Sequence, residues 1–82
     1  MSYKIVIEKR AKKFIEKQPI NQRKRILKAV MGLPDSGDIK QLKGNSEYFR
    51  LRVGDYRIIY KVEHNILTVI VTDAGNRGQI YK

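Results

Sequence analysis

The chain has 82 residues, of which 41% are apolar, enough for one small core but too few for a second domain. Its 18 Lys and Arg against 8 Asp and Glu give a formal charge of +10, which points to a polyanionic partner: nucleic acid, an acidic protein or an anionic membrane surface. The absence of cysteine excludes disulfides and thiolate metal sites, and the apolar run near the N-terminus is too short for a signal peptide or a membrane span, so we expect a soluble protein of the cytoplasm.

The first part of the chain predicts a strand followed by two helices. Residues 3–7 are rich in β-branched and aromatic side chains, which is typical of a strand. From Lys9 the apolar spacing becomes that of a helix that ends near Pro19, and a second stripe predicts another helix between Pro19 and Gly32. The two stripes are Ala11, Phe14, Ile15 and Gln18, then Ile26, Leu27, Val30 and Met31. The many lysines and arginines of these helices are either a docking surface for nucleic acid or an ordinary solvated face.

The rest of the chain predicts a loop and three strands. The loop covers residues 34–46, and Leu42 is expected to pin it to the core. Strands over residues 48–53, 56–62 and 66–72, joined by turns at Gly54-Asp55 and His64-Asn65, imply an antiparallel meander. The face expected to receive the helices carries Ile58, Tyr60, Val62, Leu67, Val69 and Val71. We therefore predict an α+β fold with an N-terminal strand and two helices packed on one face of a small antiparallel sheet.

The hairpin of residues 48–61 places three arginines on the opposite face of the sheet. Closing its turn gives three cross-strand pairs: Arg52 with Arg57, Arg50 with Ile59, and Tyr48 with Lys61. The hairpin contributes no acid to this face, which is also expected to carry Thr68, Ile70 and Thr72. Like charges that face each other across two strands destabilise a sheet, and a bound phosphate would relieve the repulsion. The alternative is a solvated face whose arginines extend into water.

The order of motifs along the chain resembles the RelE/ParE superfamily of toxins from bacterial and archaeal toxin–antitoxin modules. The resemblance rests on the strand, the two helices, Leu42-Lys43-Gly44, the arginine hairpin, Gly75-Asn76-Arg77 and Ile80-Tyr81. It implies a βααβββ fold over a single domain of residues 1–82. Members of the RelE branch cut messenger RNA in the ribosomal decoding site and are held inactive by a cognate antitoxin. The implied partners are therefore the ribosome, messenger RNA and a RelB-like antitoxin with an acidic amphipathic segment.

The resemblance also implies site residues. The basic residues of the family match Arg50, Arg52, Arg57 and Arg77, and its terminal aromatic matches Tyr81. RelE has lysines at the positions of Tyr48 and Arg50, and many relatives have a histidine in place of Asn76, so the usual proton-transfer groups are partly missing here. The residues expected to act in catalysis are Arg50, Arg57, Arg77 and Tyr81, and those expected to bind RNA are Tyr48, Arg52, Lys61, Lys43 and Asn76.

Cleavage of RNA by its own 2′-hydroxyl needs a base, stabilisation of a charged phosphorane, and an acid for the departing 5′-oxygen. Arg57 and Arg77 suit the stabilising role because the planar guanidinium pairs bidentately with phosphoryl oxygens. Arg50 and Arg52 are expected to hold the flanking backbone, and Tyr81 to stack on a base or transfer a proton. No metal or cofactor is expected, since the acids show no metal-ligand spacing and His64 is interpreted as a loop residue.

Two other functions stay open at this point. One is a non-enzymatic toxin of the ParE branch that binds and inhibits DNA gyrase, although ParE-like chains usually lack so full a basic cluster. The other is a degenerate toxin homologue that binds RNA, or an acidic protein, without cleaving anything. In every version the resemblance implies an antitoxin that covers the helices or the basic face.

Overall fold

The computed structural model describes residues 3–44 and 47–76. Its elements in chain order are β1 (Lys4–Ile7), α1 (Lys9–Glu16), α2 (Ile20–Met31), β2 (Asp38–Gln41), β3 (Tyr48–Val53), β4 (Tyr56–Glu63), a short 3₁₀ turn (His64–Ile66) and β5 (Thr68–Asn76). The predicted helices and the hairpin of β3 and β4 are confirmed. The α+β architecture is confirmed as well, with differences in the sheet that bear on the site.

The sheet has five strands in the order β1-β5-β4-β3-β2 and is mixed. The pairs β3–β4 and β4–β5 are antiparallel, as expected for the meander, and an additional strand, β2, pairs antiparallel with β3. The strand β1 lies parallel to β5, with Ile5 beside Val69. The predicted antiparallel sheet is therefore confirmed for β3, β4 and β5, whereas the pairing of β1 is parallel. A parallel pair needs a long crossover between its strands, and here the two helices and three further strands separate β1 from β5 along the chain.

The second difference is β2, which lies inside the predicted loop of residues 34–46. It pairs antiparallel with β3, and Ile39 lies across from Leu51. Because β2 is an edge strand, Ile39 alone of its four residues is even partly buried, so no alternating apolar pattern marks it. Leu42, expected to pin this segment to the core, instead lines cavities on the opposite face of the sheet.

The core lies between the helices and one face of the sheet. Ala11 and Ile15 of α1, and Ile26 and Val30 of α2, are buried at the spacing that the sequence predicted. The sheet contributes Leu51, Val53, Ile58, Tyr60, Val69, Val71 and Ala74. Val62 is only partly buried, and Leu67 precedes β5 in a left-handed conformation with φ 48°. The predicted core face is thus confirmed except near the turn between β4 and β5.

A β-bulge between β4 and β5 determines what reaches the other face. Tyr60 lies across from Val71, yet its neighbour Ile59 lies across from Asp73, so Thr72 is an extra residue in β5. Beyond the bulge the alternation of β5 is reversed. Ala74 therefore joins the core, whereas Asp73 and Gly75 lie on the face with Ile59 and Arg57.

Candidate functional site

The sheet face that the helices leave uncovered, called here the open face, carries the predicted arginines. The three predicted cross-strand pairs of the hairpin are confirmed. Pairing with β2 and β5 extends them into rows across the sheet. One row is Asp38, Arg52, Arg57 and Gly75, and the next is Lys40, Arg50, Ile59 and Asp73.

Arg50 is a largely enclosed cation of the open face, and it forms an ion pair with Asp38. Its side chain is 14% exposed, and its Nη2 donates to Oδ1 of Asp38 at 3.3 Å. Within the described part of the chain, its buried Nε has no hydrogen-bond partner. A buried donor without a partner costs free energy, so the Arg50 guanidinium keeps capacity for another acceptor.

Arg57 lies beside Arg50 in a cavity of about 330 Å³, called here the basic cavity, which is lined by Lys40, Gln41, Leu42, Lys43, Arg50 and Arg57. The Nε and Nη1 atoms of Arg57 are buried. Its neighbour on β5 is Gly75, while on β3 it faces Arg52. Among the residues that the structure describes, four cations and no acid line the basic cavity, which is therefore suited to a phosphate group.

A second cavity, of about 380 Å³, continues the basic cavity along the open face and shares Leu42 with it. It brings together Tyr48 and Lys61, with the Lys61 Nζ 5.9 Å from the centre of the Tyr48 ring. Asp73 lies in this cavity too. One oxygen of Asp73 accepts from the Ala74 amide at 2.8 Å, and the other lies 3.9 Å from Nη1 of Arg10.

The predicted site residues therefore fall into groups. Arg50, Arg57 and Lys43 line the basic cavity, and Tyr48 and Lys61 line the cavity next to it. Arg52 is exposed and lines a smaller depression of about 90 Å³ at the hairpin tip, together with Arg57. Asn76 lies apart from both main cavities, between the hairpin tip and α2. Arg77 and Tyr81 lie outside the described residues.

Sequence reasoning missed the acids of this surface. The hairpin indeed contributes none, but Asp38 comes from the unpredicted strand β2, and the bulge brings in Asp73. The alternation of Asp38 and Lys40 around Ile39 was a weak signal for β2, whereas no local pattern marks the bulge. Among residues 3–44 and 47–76, no group of three or more His, Asp or Glu is arranged to hold a metal ion, and no helix is long and apolar enough to cross a membrane.

Comparison with known proteins shows the relatives of this chain. The model of a family described as ParE toxin of type II toxin–antitoxin system, parDE, matches residues 5–81. The toxin chain in a RelB–RelE antitoxin–toxin complex from Methanococcus jannaschii is 32% identical, with a TM-score of 0.75 and coverage of 93% of this chain and 94% of that one. In an archaeal RelE–RelB complex from Pyrococcus horikoshii OT3, the matching chain is 25% identical, with a TM-score of 0.76 and coverage of 96% and 99%. The isolated Escherichia coli RelE toxin shares the fold at 21% identity, with a TM-score of 0.79 and coverage of 98% and 89%.

Proposed function

The chain belongs to the ParE toxin family of type II toxin–antitoxin systems, and we propose that this RelE-like toxin is a ribosome-dependent endoribonuclease that cleaves messenger RNA and so inhibits translation. The observation that carries the proposal is the basic cavity, where two largely buried guanidiniums line one concave surface with two lysines. A surface that served only solubility would leave its cations in water. Cations held out of water are instead suited to a phosphodiester whose negative charge replaces the lost hydration.

The proposed reaction is attack by the RNA on itself, without a metal ion. The 2′-oxygen forms a bond to phosphorus as it loses its proton, and the bond from phosphorus to the 5′-oxygen breaks as that oxygen gains a proton. Negative charge builds up on the phosphoryl oxygens in between, and donors that are already in place stabilise it most effectively. We assign this role to Arg57 with Arg50, and the holding of the flanking strand to Arg52, Lys43 and Lys61.

Two further roles rest on the family resemblance. Arg77 shares the stabilisation of charge, and Tyr81 stacks on a base or transfers a proton. Asn76 takes the position where many relatives have a histidine. General acid–base help is worth roughly 10²–10⁴-fold, so a site without an ideal base still cleaves by positioning and electrostatics, though more slowly.

Cleavage is tested by primer extension on a translated message with purified toxin. Wild-type protein should cut within codons on the ribosome, and Arg57→Ala should reduce the rate by roughly 10²–10³, the usual loss for one donor to a developing oxyanion. Arg57→Lys should restore only part of the rate, because an ammonium cannot pair bidentately. Lys12→Ala removes the same charge at an exposed position of α1 that lines neither of the two main cavities of the open face, and this variant should cut like wild type. Intact message with folded wild-type protein would reject the proposal.

Inhibition of DNA gyrase is the second candidate, and the match to the ParE family model favours it. A supercoiling assay with purified gyrase separates the two activities. Loss of supercoiling at toxin concentrations that leave translated message intact would place the protein in the ParE branch. RNA binding without cleavage and without gyrase inhibition would instead identify a degenerate homologue.

We also propose that the toxin acts in the cytoplasm and that a RelB-like antitoxin neutralises it. Support comes from the similar toxins of Methanococcus jannaschii and Pyrococcus horikoshii, whose structures are complexes with RelB. An acidic amphipathic segment suits a chain of charge +10 and would cover the open face or the helices. Co-expression with the adjacent open reading frame should give a co-purifying complex, and failure to co-purify would count against this partner.

A further inference from the structure

The cavities of the open face do not end at the basic cavity but continue around the tip of the β3–β4 hairpin. Arg57 lines both the basic cavity and the small depression at the tip. That depression in turn shares Asp55 and Tyr56 with a cavity of about 460 Å³ between the tip and α2. Asp55 of the turn and Arg57 of β4 are two residues apart, so their Cα atoms are separated by at most about 7 Å. This is roughly twice the 3.4 Å rise of a stacked nucleotide, so one unstacked nucleotide could span the step.

The cavity at the tip, called here the tip cavity, is lined by Gln22, Arg25, Asp55, Tyr56 and Asn76. Its volume lies in the range of sites for small molecules, roughly 300–1,000 Å³. One of its walls, the Tyr56 side chain, is held by two contacts. The Tyr56 ring packs edge-on to Phe14, 5.9 Å between centres, and its hydroxyl donates to Gln18 at 3.0 Å.

Because Gly54 has no side chain, the Arg25 guanidinium can pack closely against the hairpin turn. The guanidinium atoms of Arg25 lie 3.1 to 3.2 Å from the point where a Cβ of Gly54 would stand, so only glycine allows this approach without displacing them. Arg25 also lies within 3.5 Å of the Gln22 side-chain oxygen. Arg25 and Asp55, both in the described part of the chain, form no ion pair with each other although they line the same cavity. A cation and an acid held apart in one cavity are suited to a ligand that presents acceptors to one and donors to the other.

We propose that the tip cavity binds a guanine base of single-stranded RNA, next to the phosphate in the basic cavity. An ionised Asp55 only accepts hydrogen bonds and Arg25 only donates them. Guanine offers adjacent donors at N1 and N2 for one carboxylate, and adjacent acceptors at O6 and N7 for one guanidinium. Adenine, cytosine and uracil lack that pair of adjacent donors. A phosphate group is disfavoured because Asp55 would repel it, and the Tyr56 ring supplies an apolar wall for the base.

The inference rests on the proposed function, since it supposes RNA on the open face, but its test needs neither ribosome nor cleavage. The probes are the four nucleoside 5′-monophosphates and unphosphorylated guanosine, titrated into the full-length protein while amide shifts are followed by NMR. Guanosine and its monophosphate should move the amides of Gly54, Asp55 and Asn76 at concentrations where the other nucleotides do not.

Asp55→Asn is the deciding variant because it raises the net positive charge while removing the bidentate acceptor. It should weaken the binding of guanosine monophosphate roughly 5- to 150-fold, which is the range for loss of one bidentate contact. The binding of adenosine monophosphate should be unchanged or tighter. Asp35→Asn makes the same charge change on the exposed turn after α2 and should preserve the preference for guanine. Equal shifts by all four nucleotides, or an unchanged guanine-to-adenine ratio in Asp55→Asn, would overturn the inference. Absence of cleavage by wild type in the translation assay would instead refute the proposed function. The nucleotide titration would still decide whether the tip cavity binds guanine.

Discussion

Replacing Tyr60 with phenylalanine should remove a large part of the loss of stability at high pH. Tyr60 is 1% exposed, with its ring stacked on Phe49 at 5.6 Å between centres, and burial raises the pKa of its hydroxyl from 10.0 to about 12. Below pH 10 the hydroxyl keeps its proton in both the folded and the unfolded chain. Between pH 10 and about 12 the unfolded chain releases the proton while the folded chain retains it. The unfolded state then binds fewer protons, so the free energy of unfolding falls as the pH rises.

The magnitude follows from the two pKa values. They differ by about two, and each unit of pKa corresponds to about 1.4 kcal/mol, so wild-type protein should lose up to roughly 3 kcal/mol from this group across the window. This is a large share of the stability expected for a chain of this size, roughly 5–10 kcal/mol.

The assay is urea unfolding followed by circular dichroism at several pH values from 8 to above 12. All other ionisable groups are the same in both proteins, so the difference in free energy of unfolding between wild type and Tyr60→Phe isolates the Tyr60 hydroxyl. That difference should change by about 2 kcal/mol in favour of the variant between pH 9 and 12. Phe49→Leu alters the stacked ring but keeps the hydroxyl, and it should show the wild-type dependence. A constant difference between wild type and Tyr60→Phe across the window would refute the reasoning.

Three other predictions concern glycine, the facing arginines and net charge. Gly37→Ala should destabilise more than Gly44→Ala in chemical unfolding. Both residues have positive φ (122° and 79°), and a side chain in that conformation costs about 1–2 kcal/mol. Only at Gly37 would the new Cβ also lie 2.6 Å from the buried Leu51 side chain, and this overpacking adds about 1–3 kcal/mol. Equal losses of stability in the two variants would contradict this prediction. Arg52→Thr removes the like charge across from Arg57 and should raise the free energy of unfolding by about 0.2–1 kcal/mol, whereas a loss would show that the pair is compensated. Raising NaCl to about 1 M, where the Debye length is roughly 3 Å, should raise the thermal midpoint of this +10 chain, and a falling midpoint would mean that attractive ion pairs outweigh repulsion.

The elements that could be predicted from sequence are those whose information is local. The helices are recognisable because Ala11 and Ile15, then Ile26 and Val30, recur at the spacing of one helical face. The pairing of β3 with β4 could be predicted because the Gly54-Asp55 turn sets the register, and each later pair follows by counting. Strand alternation and this register together are sufficient to place Arg50 and Arg57 on one face of the sheet.

The misses involve partners distant along the chain. Nothing within β1 says that its neighbour is β5 or that the two run parallel. An edge strand such as β2 is held by hydrogen bonds to β3 and needs little apolar pattern, so its sequence predicts a loop. The position of Asn76 also depends on β5, which carries it to the tip cavity rather than to the basic cavity, and its expected binding of RNA stays a prediction.

The sequence by itself determined that this is a highly basic α+β chain with guanidiniums on one sheet face, because alternation along a strand and the geometry of a tight turn are properties of neighbouring residues. Only the tertiary structure decided what surrounds those guanidiniums. Asp38 reaches Arg50 through an edge strand, Asp73 joins the open face through a bulge, and Arg25 meets the hairpin tip by the packing of a helix. Each of these contacts is formed between segments that are far apart in sequence, where burial and backbone pairing, rather than local pattern, select the neighbour.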